Sequence, residues 1–259
     1  MQYIPSSFYN ERKTNIDTLM FHCSALNSQE MIDVLNQNEL SCHYIIDENG
    51  KIIQLVEESK RAWHGGIAFW RDIDTDINSH SIGIELCHPT LGQSPYPEKQ
   101  INSLISLSKQ IISRYDIKPN YIIGHSDSAP TRKADPGKFF PWEELSKHGI
   151  GLWYDLNKTN PSTDIKYLLS SIGYDTRTQE TLTASLYAFA RHFFPELIDI
   201  DINIQHLEQN IYPKKLERFH SGYSNATIIS NKFNLAQIKF YNNNEFIKTL
   251  QAVSYSFND

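Results

Sequence analysis

Two histidines and an aspartate are the first candidates for chemistry in this chain. His22 closes the apolar run Thr18-Leu19-Met20-Phe21, His125 follows Ile122-Ile123-Gly124, and Asp135 stands in Arg132-Lys133-Ala134-Asp135-Pro136-Gly137. Two imidazoles and a carboxylate form a three-donor set that leaves zinc an open coordination position for water or substrate. Each piece alone is weak, because a single histidine at a strand end is more often a satisfied structural residue and the chain has 10 histidines. Glu85 sits among Ile82, Ile84 and Leu86, where an ionised carboxylate is costly unless it faces a polar site. Taken alone, it reads as a structural ion pair at least as well as an acid-base group, and Lys133 alone reads as a solvated loop lysine. The block Ala62-Trp63-His64-Gly65-Gly66 offers an aromatic surface and a ring nitrogen beside flexible backbone, suited to an amphipathic ligand.

The elements that must carry these groups are readable from periodicity. Strands are expected over Thr18 to Cys23, Cys42 to Asp47, Lys51 to Val56, Ser81 to Leu86 and Tyr121 to Gly124, with Asn49-Gly50 as a tight hairpin turn between the second and third. From Pro97 to Tyr115 the residues Ile101, Leu104, Ile105, Leu107, Ile111 and Ile112 recur at helical spacing and predict a long amphipathic helix over the sheet. Strands alternating with helical segments over about the first 150 residues argue for an α/β or α+β layer fold. After Asn157 the composition shifts. Ile165 to Ile172 and Thr181 to Phe194 read as helices of a small domain, and Ile238 to Tyr241 with Glu245 to Leu250 flank Asn242-Asn243-Asn244 like a hairpin.

Composition narrows the function classes. With 259 residues and 40% hydrophobic content the chain can bury a sizeable core, and a net charge of -6 argues against a nucleic-acid partner held by phosphate neutralisation. No transmembrane segment is expected. The stretch from Met1 to Thr18 lacks the apolar run of a signal peptide, which points to a cytoplasmic location, with a periplasmic or envelope-associated one as the alternative. Cys23, Cys42 and Cys87 fall in strand-like apolar runs and read as buried, unpaired thiols.

Taken together, six ordered blocks resemble the zinc-dependent N-acetylmuramoyl-L-alanine amidases of the AmpD and AmiD type, relatives of peptidoglycan recognition proteins. They are Phe21-His22-Cys23-Ser24-Ala25, Ser41-Cys42-His43-Tyr44, Ala62-Trp63-His64-Gly65-Gly66, Ser81-Ile82-Gly83-Ile84-Glu85-Leu86, Gly124-His125-Ser126-Asp127 and Arg132-Lys133-Ala134-Asp135-Pro136-Gly137. The resemblance covers about residues 15–155 and implies an α/β fold with a central mixed β-sheet flanked by helices, plus a small C-terminal helical domain. It divides the chain into a zinc amidase domain at 1–157 and a helical peptidoglycan-binding-like domain at 158–221, leaving a C-terminal tail at 222–259 in which the hairpin-like pattern falls.

Carried onto this sequence, the resemblance implies that His22, His125 and Asp135 hold Zn2+, that Glu85 is the general base, and that Lys133 stabilises the developing oxyanion. Bound zinc lowers the pKa of water from about 15.7 toward about 7 and polarises the scissile carbonyl. Substrate contacts are expected from Arg61 to a stem-peptide carboxylate, from Trp63 and His64, and from Asn78 to an amide, although Trp63 reads nearly as well as core packing. His43, His64, His80 and His88 stay outside the ligand set. Cys42 stands where some phage relatives carry a tyrosine, which shifts weight to Glu85. The implied reaction is hydrolysis of the amide between N-acetylmuramic acid, or its anhydro form, and the L-alanine of peptidoglycan or muropeptides. A non-catalytic recognition module and a zinc hydrolase of another amide are the competing readings. The helical segment has its own alternative, an extension that stabilises the catalytic domain or a homo-oligomer.

Overall fold

The structure, a computed structural model, describes residues 1–198 and 240–259. Its strands are β1 (Gln2–Tyr3), β2 (Tyr9–Glu11), β3 (Thr18–Ser24), β4 (Tyr44–Ile46), β5 (Ile52–Gln54), β6 (Lys60–Ala62), β7 (Phe69–Trp70), β8 (Ile73–Asp74), β9 (Ser81–Cys87) and β10 (Ile122–Gly124). The helices are α1 (Ser28–Gln37), α2 (Ile77–His80), α3 (Glu98–Tyr115), α4 (His125–Ser128), α5 (Trp142–Lys147), α6 (Ile165–Ile172), α7 (Gln179–Phe193) and α8 (Asn244–Ser256). Six strands form one mixed sheet in the order β1-β5-β4-β9-β3-β10. Within it β4 and β5 pair antiparallel, and the other neighbours are parallel.

Period-two alternation along the two central strands decides where the chemistry lies. Leu19, Phe21 and Cys23 of β3 join Ile82, Ile84 and Leu86 of β9 beneath Leu104, Leu107 and Ile111 of α3. The opposite face therefore carries Met20 and His22 from β3, paired in register with Gly83 and Glu85 of β9. Burying a Leu, Ile or Phe side chain contributes about 1.5–3 kcal/mol over leaving it exposed. The covered α3 face thus supplies stability, while the other face is free to hold polar groups.

Part of that second face, around Met20 and Ile123, packs under the C-terminal helices, and Ile45 packs with Met31 and Leu35 of α1. Met20, Trp70, Ile73, Ile77 and Ile123 share one apolar cluster with Leu168, Leu169 and Ile172 of α6, Leu186, Phe189 and Phe193 of α7, and Leu250 and Val253 of α8. Helices α6 and α7 follow the expected helical stretches, and residues 199–221 of the expected helical domain lie outside the described residues.

The β4–β5 hairpin forms as the sequence predicts. Gly50 takes φ +82°, and a Cβ there would come within 2.5 Å of the Lys99 carbonyl oxygen, so both backbone angle and space call for glycine. The expected C-terminal hairpin is corrected by the structure: Glu245 to Leu250 lie in α8. Asn243 does not turn a hairpin but caps this helix, its Oδ1 accepting from the Phe246 amide at 2.9 Å. Phe246, Leu250, Val253 and Phe257 fall at helical spacing and are buried. The first expected arm is in part outside the described residues. No described helix is long and apolar enough to cross a membrane, and the three cysteines are buried and unpaired.

Candidate metal centre and active site

Three neighbouring elements deliver the expected ligands to one point. His22 lies near the end of β3, His125 opens α4 directly after β10, and Asp135 lies in the loop that follows α4. The Ser126 amide donates to the Asp135 carbonyl oxygen at 2.9 Å and ties that loop to α4. Nδ1 of His22 is 2.9 Å from Nδ1 of His125. Asp135 Oδ2 is 3.4 Å from the first and 3.2 Å from the second. All three residues are buried, and their donor atoms lie within 4.8 Å of one another.

This donor set fits a metal ion. Two imidazole nitrogens and a carboxylate oxygen converge, and with both Nδ1 atoms unprotonated their lone pairs, 2.9 Å apart, call for a cation between them. Burial holds the His125 pKa down to about 3 against the raising effect of Asp135, keeping the imidazole neutral as a ligand must be. The Asp135 carboxyl is itself buried, which favours its neutral form. His125, His22 and Lys133 outweigh that cost and hold it well below the usual carboxylate range. Oδ1 of Asp135 and Oε2 of Glu85 are buried oxygens with no hydrogen-bond partner among the described residues. His22, His125 and Asp135 can therefore bind a metal.

Glu85 faces the same centre from β9. Its Oε1 is 4.0 Å from His22 Nδ1. Burial raises its pKa from 4.5 to about 7; His22 and Lys133 oppose the rise, and Asp135 adds to it. Lys133 is near enough to act on both Glu85 and Asp135, and burial lowers its own pKa while Asp135 resists. A carboxyl group with a pKa near neutrality and a partly desolvated ammonium thus lie close to the candidate ligand triad, groups of the types that can transfer a proton and stabilise an oxyanion.

The residues expected to touch substrate have other engagements. Arg61 gives Nε and Nη2 to Asp76 Oδ1 at 2.9 and 2.7 Å, and Nη1 to Asn10 Oδ1 at 3.1 Å. Asn78 is buried, and its Oδ1 accepts from the amides of His64 and Gly65 at 3.2 and 2.7 Å. Trp63 is half-buried, with Nε1 donating to Asn10 Oδ1 at 2.8 Å and its ring tilted against Phe8. His64 turns inward, with Nδ1 3.0 Å from His22 Nε2 and Nε2 3.3 Å from Ser81 Oγ. Nε2 of His125 lies 3.0 Å from the Gly65 carbonyl oxygen.

Two features of the site carry little sequence signal. The Gly65 carbonyl is a backbone group that no residue type announces. Asp127, part of the Gly124-His125-Ser126-Asp127 block, accepts from Tyr174 and His192, which lie 47 and 65 residues along the chain.

Known proteins share this arrangement of elements. The sequence model of the N-acetylmuramoyl-L-alanine amidase family matches residues 12–138. The N-acetylmuramoyl-L-alanine amidase AmiD of Escherichia coli strain K12 is 37% identical in an alignment of length 211 that covers 70% of this chain and 76% of AmiD. The 1,6-anhydro-N-acetylmuramyl-L-alanine amidase AmpD of Enterobacter cloacae is 39% identical over 106 residues, 41% of this chain and 55% of AmpD. The solved complex of Escherichia coli AmiD with anhydro-N-acetylmuramic acid-L-Ala-D-gamma-Glu-L-Lys aligns with a TM-score of 0.64 at 33% identity, covering 74% of this chain and 91% of that one. This chain belongs to the N-acetylmuramoyl-L-alanine amidase family, in the group that contains AmiD and AmpD.

Proposed function

We propose that the chain is a zinc-dependent amidase that hydrolyses the amide between N-acetylmuramic acid, including its 1,6-anhydro form, and the L-alanine of the stem peptide. The observation that carries this reading is the convergence of His22, His125 and Asp135 with Glu85 bordering them. Its support from relatives is the AmiD complex, whose ligand is an anhydromuramyl peptide. A zinc ion held by the triad would polarise the scissile carbonyl and acidify water.

The chain's own residues then divide the work. Glu85 accepts a proton from the attacking water as its oxygen bonds to the carbonyl carbon. Lys133 stabilises the negative charge that develops on the carbonyl oxygen. As the carbon–nitrogen bond breaks, Glu85 returns the proton to the departing alanine nitrogen, and the water's second proton leaves the new carboxyl group for the amine or solvent, giving a muramic acid carboxylate and a free stem-peptide amino group. A pKa near neutrality suits both halves of that cycle. Trp63, half-buried and next in sequence to His64, is the residue we assign to substrate contact.

The test is product analysis by mass spectrometry after incubating the zinc-loaded chain with an anhydromuropeptide and, separately, with intact sacculi, each with a chelator control. Chelator-sensitive release of free stem peptide supports the amidase. Binding to either substrate with no release would instead identify a recognition module.

A further inference from the structure

Resting on the reading of His22 and His125 as metal ligands, we propose that the His64-Gly65 segment is a built positioning device that holds both ligand histidines with Nδ1 unprotonated toward the metal, His64 being the positioning residue for His22. The directions of the hydrogen bonds follow from groups that can act in one way only. A carbonyl oxygen accepts, and a hydroxyl has one hydrogen to give. Ser81 Oγ donates to the Ile77 carbonyl at 2.7 Å, so its contact with His64 Nε2 at 3.3 Å must be an N–H donated by His64. A neutral imidazole with its proton on Nε2 presents a lone pair at Nδ1. His22 Nε2, 3.0 Å from that lone pair, is then the donor, and His22 Nδ1 is left bare, facing His125 and Asp135.

The next residue does the same for the second histidine. His125 Nε2 lies 3.0 Å from the Gly65 carbonyl oxygen, which can only accept, so the His125 proton also sits on Nε2 and its Nδ1 is free for the metal. Two consecutive residues thus orient both imidazoles, as outer partners of metal-bound histidines do.

The segment is held for this task. Buried Asn78 accepts from both the His64 and Gly65 amides through one oxygen, and Arg132 Nη2 donates to the Gly65 carbonyl at 3.2 Å. Space for the ring comes from Gly83, where a Cβ would lie 2.5 Å from His64 Nδ1. The His64 ring stands at 87° to that of His22, edge toward it. These contacts make His64 and Asn78 positioning residues within the site.

The experiment measures zinc affinity of the full chain by competition with a chromogenic chelator, together with the visible spectrum of the cobalt-loaded form and the unfolding midpoint of the metal-free form. His64→Leu, which removes the acceptor, should weaken zinc binding about 10- to 100-fold and change the cobalt spectrum. His64→Asn, whose Oδ1 can stand near the place of Nδ1, should recover most of the affinity. A folded His64→Leu variant with unchanged affinity and spectrum overturns the proposal, as does an Asn variant no better than Leu. If His64→Leu does not fold, Ser81→Ala decides: it frees His64 to carry its proton on Nδ1 and should weaken zinc binding, and unchanged affinity there overturns the proposal. A wild-type chain that takes up no zinc would instead overturn the functional reading on which this one rests.

Discussion

Tyr174 donates its hydroxyl to Asp127 Oδ1 at 2.7 Å, two residues beyond the candidate ligand His125. The other oxygen of Asp127 accepts from His192 Nδ1 at 2.9 Å and from the Gly124 amide at 2.8 Å. The His192 ring stacks on Trp142, with centroids 3.8 Å apart and planes 14° from parallel. Residues from the C-terminal helical part therefore grip the turn that presents His125, in addition to sharing an apolar cluster with the sheet.

Asp127→Ala should be strongly destabilising. It leaves Tyr174, His192 and the Gly124 amide as buried donors without their acceptor, at about 1–3 kcal/mol for each unsatisfied group. A loss of about 3 kcal/mol or more is expected in denaturant unfolding of the metal-free chain. Tyr174→Phe removes one donor and should cost about 1 kcal/mol. An Asp127→Ala variant as stable as wild type would show that the grip contributes nothing.

Glu85→Gln should keep metal content at the wild-type level and lower kcat by about 100-fold or more, the scale for losing a positioned acid-base group. Metal analysis and steady-state kinetics on the same preparation check this. Unchanged turnover removes Glu85 from the mechanism.

The pH dependence has a defined sign. Glu85 works as a base only when deprotonated, and its pKa is raised to about 7 by burial. A dication at the triad would favour the carboxylate and lower that value. Turnover should therefore fall as pH drops through a point at or below about 7, measured as kcat with metal occupancy followed at each pH. A kcat that rises as pH falls from 7 to 5, at constant occupancy, contradicts the assignment.

On the proposed function, His125→Ala should lose metal and activity together, because it removes one of the three proposed ligands from a buried site. Its partners are left behind: Asp135 Oδ2 loses a 3.2 Å contact and the Gly65 carbonyl a donor. Full retention of zinc, measured by elemental analysis after dialysis, would exclude His125 from the ligand set.

Much of the molecule was legible where the pattern was long and local. The helices α3 and α6 show the apolar spacing of their element, β3 and β9 are runs buried along their whole length, and the three candidate ligands stand in blocks whose residue types are chemically specific. Short strands such as β1, β2, β7 and β8 have two or three residues each, too few for a period to register. The tail departs from the expected hairpin because Asn242-Asn243-Asn244 suits a turn and a helix cap alike, and the apolar spacing of Phe246, Leu250 and Val253 decides for the helix. The expected roles of Arg61, Asn78 and His64 rested on residue type, whereas their engagements with Asp76, with a backbone segment and with His22 are set by tertiary contacts between separate elements.

The most direct test of the central claim is hydrolysis of a defined N-acetylmuramoyl-L-alanyl peptide by the zinc-loaded chain in water enriched with oxygen-18, read by mass spectrometry. One heavy oxygen is expected in the muramic acid carboxylate and a free amine on L-alanine, with the reaction abolished by chelator and restored by zinc. Cleavage at another amide, or release that continues unchanged with the metal removed, would contradict it.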